Sequence, residues 1–117
     1  MATAEDLKNK LPLAAQQEIN AYAKSLRQGG VNFSQLILFG SFAKGHNQPW
    51  SDIDVGVVSP DFGRNYFDEL VQLNQLRGNE TLRIDPHPFN PADLNDRWNP
   101  LAAEVAASGI SLMLEPV

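Results

Sequence analysis

Apolar and polar positions follow two different periods along this chain. From Leu11 to Leu26 the period is helical: Leu11, Ala15, Ile19, Tyr22, Ala23 and Leu26 share one face, and Gln17, Asn20, Lys24 and Arg27 look away from it. The pattern predicts a packing helix over Pro12 to Gln28, with Pro12 in its first turn and Gly29-Gly30 at its end. Gln35 to Phe39 is apolar without alternation, the mark of a strand buried on both faces. Gly40 to Lys44 should bend out of that strand into a short helix, and Gly45 to Ser51 is a loop broken by Asn and Pro. Ile53 to Val58 reads as the second strand, stopped by Ser59-Pro60.

Asn65 to Leu76 reads as a second long helix, with Tyr66, Phe67, Leu70, Val71 and Leu73 as its apolar side and Gly78 as its stop. Thr81 to His87 reads as a third strand, and Pro86, Pro88 and Pro91 argue against its continuing far. Asn90-Pro91 caps a single turn through Asp93; Asn99-Pro100 starts a last helix that runs to Ser108 and ends at Gly109. Ile110, Leu112 and Leu114 alternate with Ser111 and Met113 as a closing strand. No repeat, low-complexity tract or linker interrupts the series. Strands with helices between them make a small mixed α/β unit, a sheet with helices packed against it. Residues 1–117 are expected to form one domain.

Composition narrows the function classes. With 43% hydrophobic and 20% charged residues the chain is an ordinary globular protein, not a disordered one. A net charge of -5, with nine basic residues scattered along the chain, argues against a broad grip on nucleic acid and against a membrane-binding patch. The absence of cysteine removes any disulfide framework or thiolate metal site and suits a reducing cytosol. The longest fully apolar run, Leu36 to Phe39, is far too short to span a bilayer. Met1 to Leu11 lacks the charged-then-apolar build of a signal peptide, so a cytoplasmic location is expected.

The candidate chemistry lies where strands end. If a strand stops at Phe39 and a helix starts at Ser41, several backbone N–H groups point outward, a ready site for a phosphate. Gly40 would let the ligand approach the backbone, and the Ser41 hydroxyl can donate once more. Asp52 and Asp54, two apart at the head of the second strand, point to one face. Side-by-side carboxylates repel, and a divalent cation bound by oxygen ligands is the usual remedy. Asp85 closes a later strand; if that strand neighbours the second, three carboxylates can hold two metals about 3.5–4 Å apart, and Asp85 is the best-placed proton acceptor. Each feature also has a plain alternative: a capping serine, a solvated strand edge, a strand-end turn. Five residues are not promoted to the site: His46 is most simply a solvated loop residue and Arg83 a structural ion pair, Trp50 and Trp98 could stack on a base or form a partner surface, and His87, on the strand face of Asp85 if the strand persists, could be a metal neighbour or help position the acceptor.

Taken together, Gly40-Ser41, Asp52-x-Asp54 and a lone Asp85 on a later strand resemble the nucleotidyltransferase superfamily of DNA polymerase β. The segment from Gly40-Ser41-Phe42-Ala43-Lys44-Gly45 to Ser51-Asp52-Ile53-Asp54-Val55 is similar to its minimal nucleotidyltransferases, small prokaryotic stand-alone domains, and the likeness extends to Gly109-Ile110-Ser111-Leu112. The resemblance implies the α+β fold of polymerase β-like nucleotidyltransferases. It implies that Gly40 and Ser41 grip nucleotide phosphates, and that Asp52, Asp54 and Asp85 bind two Mg²⁺ ions, with Mn²⁺ as an alternative. Lys44 stands where many relatives carry arginine; it reaches a phosphate as a point charge but does not fork, and a salt bridge or solvated turn is its plain alternative.

Many minimal nucleotidyltransferases are encoded beside a HEPN-domain protein and form a toxin–antitoxin pair. The resemblance therefore implies an antitoxin that transfers AMP from ATP to a tyrosine of the HEPN ribonuclease. Two other functions stay open: an antitoxin that neutralises its partner by contact alone, and nucleotidyl transfer to a small molecule such as an aminoglycoside. Homo- and hetero-oligomers both stay open.

Overall fold

Helix α1 (Leu13–Gln28) carries the face that its spacing predicts: Ala15, Ile19, Tyr22, Ala23 and Leu26 are all buried. A computed structural model describes residues 11–112. After α1 come β1 (Gln35–Phe39), α2 (Ser41–Lys44), β2 (Ile53–Val58), α3 (Tyr66–Gln75) and β3 (Ile84–Phe89). A 3₁₀ turn (Pro91–Asn95), α4 (Pro100–Ser108) and β4 (Ile110–Leu112) follow. Met113 and Leu114, the rest of the expected closing strand, lie outside the described residues.

The four strands form one mixed sheet in the order β3-β2-β1-β4. β1 runs antiparallel to β2 and to β4, with Phe39 opposite Asp54. β2 and β3 are parallel, because α3 carries the chain back across the sheet between them. This is the mixed α+β architecture expected from the alternation of elements.

Strand alternation gives the sheet two different faces. On one, Leu36, Leu38, Ile53, Val55, Val57 and Ile84 pack in one core with Ile19 and Leu26 of α1 and Leu73 of α3. On the other, Ile37, Phe39, Val58 and Phe89 pack under Val105 and Leu101 of α4 and Leu94 of the 3₁₀ turn. Two hydroxyls of α1 tie it to α3: Tyr22 Oη donates to the Leu73 carbonyl at 2.7 Å and Ser25 Oγ to the Leu76 carbonyl at 2.6 Å. The last carbonyls of a helix lack partners within it, so both bonds satisfy groups that burial would otherwise strand. Burial also pushes the Tyr22 phenol pKa upward, against the pull of Arg77.

Two expectations need correction. The apolar side predicted for α3 is only partly used: Leu73 is buried, whereas Tyr66, Phe67 and Val71 are exposed. Leu73 and the capping Leu76 meet the sheet, and Phe67 and Val71 lie round the helix from them. The third strand starts later and runs further than predicted, from Ile84 through Pro86 and Pro88 to Phe89. Its hydrogen bonding explains why. Ile53 N–H donates to the Arg83 carbonyl at 2.7 Å and Ser59 N–H to the Phe89 carbonyl at 2.9 Å, so odd-numbered residues of β3 turn their peptide groups toward β2. Pro86 and Pro88 occupy the alternate positions, on the outer edge, where no ladder donor is lost. On that edge Arg77 Nη1 donates to the carbonyls of Leu82 and Ile84 at 3.2 and 3.1 Å.

Candidate active site

The site begins where β1 runs out. Gly40, directly after β1, has φ 75° and ψ -152°, a backbone region that side chains all but exclude. A Cβ at this position would collide with the Asp54 carboxylate. The turn therefore passes directly over Asp54, and glycine is needed for both conformation and clearance. Beyond it the first bond of α2 runs from the Lys44 N–H to the Gly40 carbonyl at 3.1 Å. The N–H groups of Ser41, Phe42 and Ala43 precede that bond, and no side chain caps the helix.

β2 and β3 bring the acidic groups together. Their parallel register sets Asp54 directly beside Asp85, on the face opposite the α1–α3 core. His87, two residues beyond Asp85, shares that face. Its Nε2 lies 3.4 Å from Asp54 Oδ1 and 3.4 Å from Asp85 Oδ2. The imidazole packs against Phe39, with ring centroids 5.1 Å apart. Across from His87 in register is Gly56, which adds no side chain to the face. One donor atom from each of Asp54, Asp85 and His87 lies within 4.8 Å of the others. Bonds of about 2.1 Å put opposite ligands of one cation roughly 4.2 Å apart, so this donor set fits a divalent ion with little movement.

The profile of the nucleotidyltransferase domain family matches residues 19–98, more than half of the chain. The chain belongs to the nucleotidyltransferase domain family. Two solved structures share the fold of this nucleotidyltransferase domain. A candidate nucleotidyltransferase from Sulfolobus solfataricus is 22% identical, with a TM-score of 0.50, over 70% of this chain and 78% of its own. A chain from a toxin–antitoxin crystallised with AMP-PNP is 24% identical, with a TM-score of 0.52, over 79% of this chain and 69% of its own. No curated protein gives a significant sequence match. Among the described residues no helix is long and apolar enough to cross a membrane.

Within this nucleotidyltransferase domain the residues singled out from sequence fall into two sets. Gly40, Asp54 and Asp85 converge, with Ser41 at the start of α2. Asp52 stands just before β2 and is exposed, yet its charge reaches Asp85. Lys44 Nζ is 3.3 Å from Glu104 Oε1 of α4, the salt bridge that was its plain alternative. Arg83 pairs with Glu18 of α1 at 3.4 Å rather than with the acidic cluster. Trp50, Trp98 and His46 are exposed. His87, which the sequence offers as a metal neighbour through its two-residue spacing from Asp85 without promoting it to the site, lies in the cluster.

The electrostatics follow from this crowding. Partial burial, then the hydrogen bond and charge of Asp54 and the charge of Asp52, raise the Asp85 pKa against the opposing effect of His87. For His87, burial favours the neutral ring, but the Asp54 hydrogen bond and the charges of Asp85 and Asp54 outweigh it, and its pKa rises.

Proposed function

We propose that this nucleotidyltransferase domain moves AMP from ATP onto a hydroxyl of a partner HEPN-class toxin, a tyrosine in the first place, and so acts as its antitoxin. The observation that carries the reading is Asp54 and Asp85 in register on neighbouring strands beneath the Gly40 turn. Family membership supports nucleotidyl transfer, and the shared fold with a chain of a toxin–antitoxin crystallised with AMP-PNP supports the partner and the nucleotide.

The chain's own groups divide the work. The backbone around Gly40 and Ser41, the Ser41 hydroxyl and Lys44 hold the phosphates. The exposed Lys44–Glu104 pair is worth less than about 1 kcal/mol, so a phosphate displaces it readily. Asp52, Asp54 and Asp85 would hold two divalent cations, Mg²⁺ or Mn²⁺, which when bound would neutralise the charge gathered at the triphosphate. The acceptor oxygen bonds to the α-phosphorus as the bridging oxygen to the β-phosphate leaves with its electron pair in pyrophosphate. Asp85 takes the acceptor's proton. A chain without cysteine suits the reducing cytoplasm in which we place this reaction.

Intact-mass measurement tests the reading. Incubation with ATP, Mg²⁺ and a HEPN protein encoded beside it should add one AMP to the partner. A partner of unchanged mass, though neutralised, would move the case to a second reading, neutralisation by contact alone. The exposed Tyr66, Phe67 and Val71 of α3 favour that alternative. Under it, replacing both Asp52 and Asp54 by Asn leaves neutralisation intact.

A further inference from the structure

We propose that His87 is a metal ligand: its Nε2 joins Asp54 and Asp85 around one divalent cation, and this nitrogen biases that position toward Mn²⁺ and later first-row ions over Mg²⁺. The inference rests on the reading of Asp54 and Asp85 as cation-holding residues, and it adds a donor that an all-carboxylate site does not have.

Four observations carry it. His87 Nε2 stands equally far, 3.4 Å, from an oxygen of Asp54 and an oxygen of Asp85. The nitrogen is thus shared between the two carboxylates rather than paired with one, a place that a proton on the ring or a cation between the three groups can hold, and the test below separates the two. The ring is held by buried Phe39 on one side of the sheet, which fixes where the nitrogen points. Gly56, opposite His87 in register, adds no side chain of its own, and the Phe89 ring lies over it. Finally, the three donor atoms lie within 4.8 Å of one another, whereas Asp52 stands exposed outside the strand.

The chemistry of the donors sets the preference. Mg²⁺ keeps oxygen ligands and several waters, whereas imidazole suits first-row transition ions, whose affinity rises from Mn²⁺ onward. Two carboxylates and one imidazole make a mixed site that Mg²⁺ has least reason to favour. His87 thus sets which ion sits beside Asp85, and through it the behaviour of the whole cluster.

Electron spin resonance of Mn²⁺ bound to the full untagged chain, without nucleotide or partner, tests this. The spin-echo spectrum of the wild-type chain should carry ¹⁴N modulation from a directly bound imidazole. His46→Ala, in an exposed loop, should keep the modulation; His87→Leu, which preserves a side chain to pack on Phe39, should lose it. His87→Leu should also bind Mn²⁺ at least about tenfold more weakly while its Mg²⁺ affinity changes by less than about threefold. No ¹⁴N modulation in the Mn²⁺-loaded wild type overturns the proposal, and that spectrum depends on no variant folding. Mn²⁺ affinity unchanged in His87→Leu overturns it as well. Failure of AMP transfer to a partner leaves these readouts standing, so the two readings fail separately.

Discussion

The two faces of the sheet are built from the same strands and do opposite things. On the α1–α3 side every inward position of β2 is apolar, and Ile53, Val55 and Val57 vanish beneath helices. On the other side the same strand carries Asp54 and Gly56 before it returns to Val58. β3 repeats the division, with Ile84 and Pro86 toward one face and Asp85 and His87 toward the other. The contrast teaches how little sequence separates scaffold from chemistry. A slip of one residue in either strand would turn its carboxylate under α1 and α3, so burial of the apolar face is what holds the acidic face in register.

That division can be broken from either side. The largest effect expected is on the acidic face. Asp54→Asn should lower AMP transfer by about a thousandfold, because the transition state gathers charge at that group. Its melting temperature should stay level or rise, since one of two crowded carboxylates is gone; scanning calorimetry reads this, and a large fall would mean that Asp54 is part of the scaffold. Ile19→Ala, in α1, reverses the pattern. Removal of this fully packed side chain should cost about 2–5 kcal/mol in urea unfolding, with the folded fraction keeping its turnover per molecule. Gly40→Ala should breach the boundary between faces. Backbone strain costs about 1–3 kcal/mol, and the new methyl pushes Asp54 aside, so stability and transfer should fall together.

The smallest effect lies away from both faces. Glu69 accepts backbone N–H bonds from Gly63, Arg64 and Asn65 ahead of α3. Burial works against its charged form, but these bonds and the Arg64 charge prevail, and its pKa falls below the ordinary 4.5. A depressed folded-state pKa gives stability that is present above the unfolded value and lost as pH falls through the folded one. Glu69→Gln should therefore show a shallower loss of melting temperature on acidification below that value than the wild type, with neutral-pH activity unchanged.

Much of this was legible before any coordinates. The α1 stripe, the bounds of β1 and β2, and the glycine-serine turn all follow from local pattern, because each is set by which residues can be buried or bent there. Contacts between distant elements are not local, and both misreadings come from them: one from strand pairing, the other from helix–sheet packing. Pro86 and Pro88 looked like terminators until the side of β3 that bonds to β2 was known. Phe67 and Val71 looked like core because helical spacing shows that residues share a side without showing which side meets the sheet. In the site, Asp54 and Asp85 could be matched only conditionally, and Asp52 was credited with a strand position one residue before β2 begins. His87 was visible as the residue two beyond Asp85, yet its meeting with Asp54 required the register of β2 against β3.

The prolines of β3 have a consequence beyond the strand itself. Among the described residues β3 is a rim of the sheet, and rims are where unrelated polypeptides dock by adding a strand. Pro86 and Pro88 leave two gaps in the row of donors there, and Arg77 already occupies two of the acceptors. Self-templating from this side, whether by exchange of segments between copies or by stacking into fibrils, is thereby disfavoured.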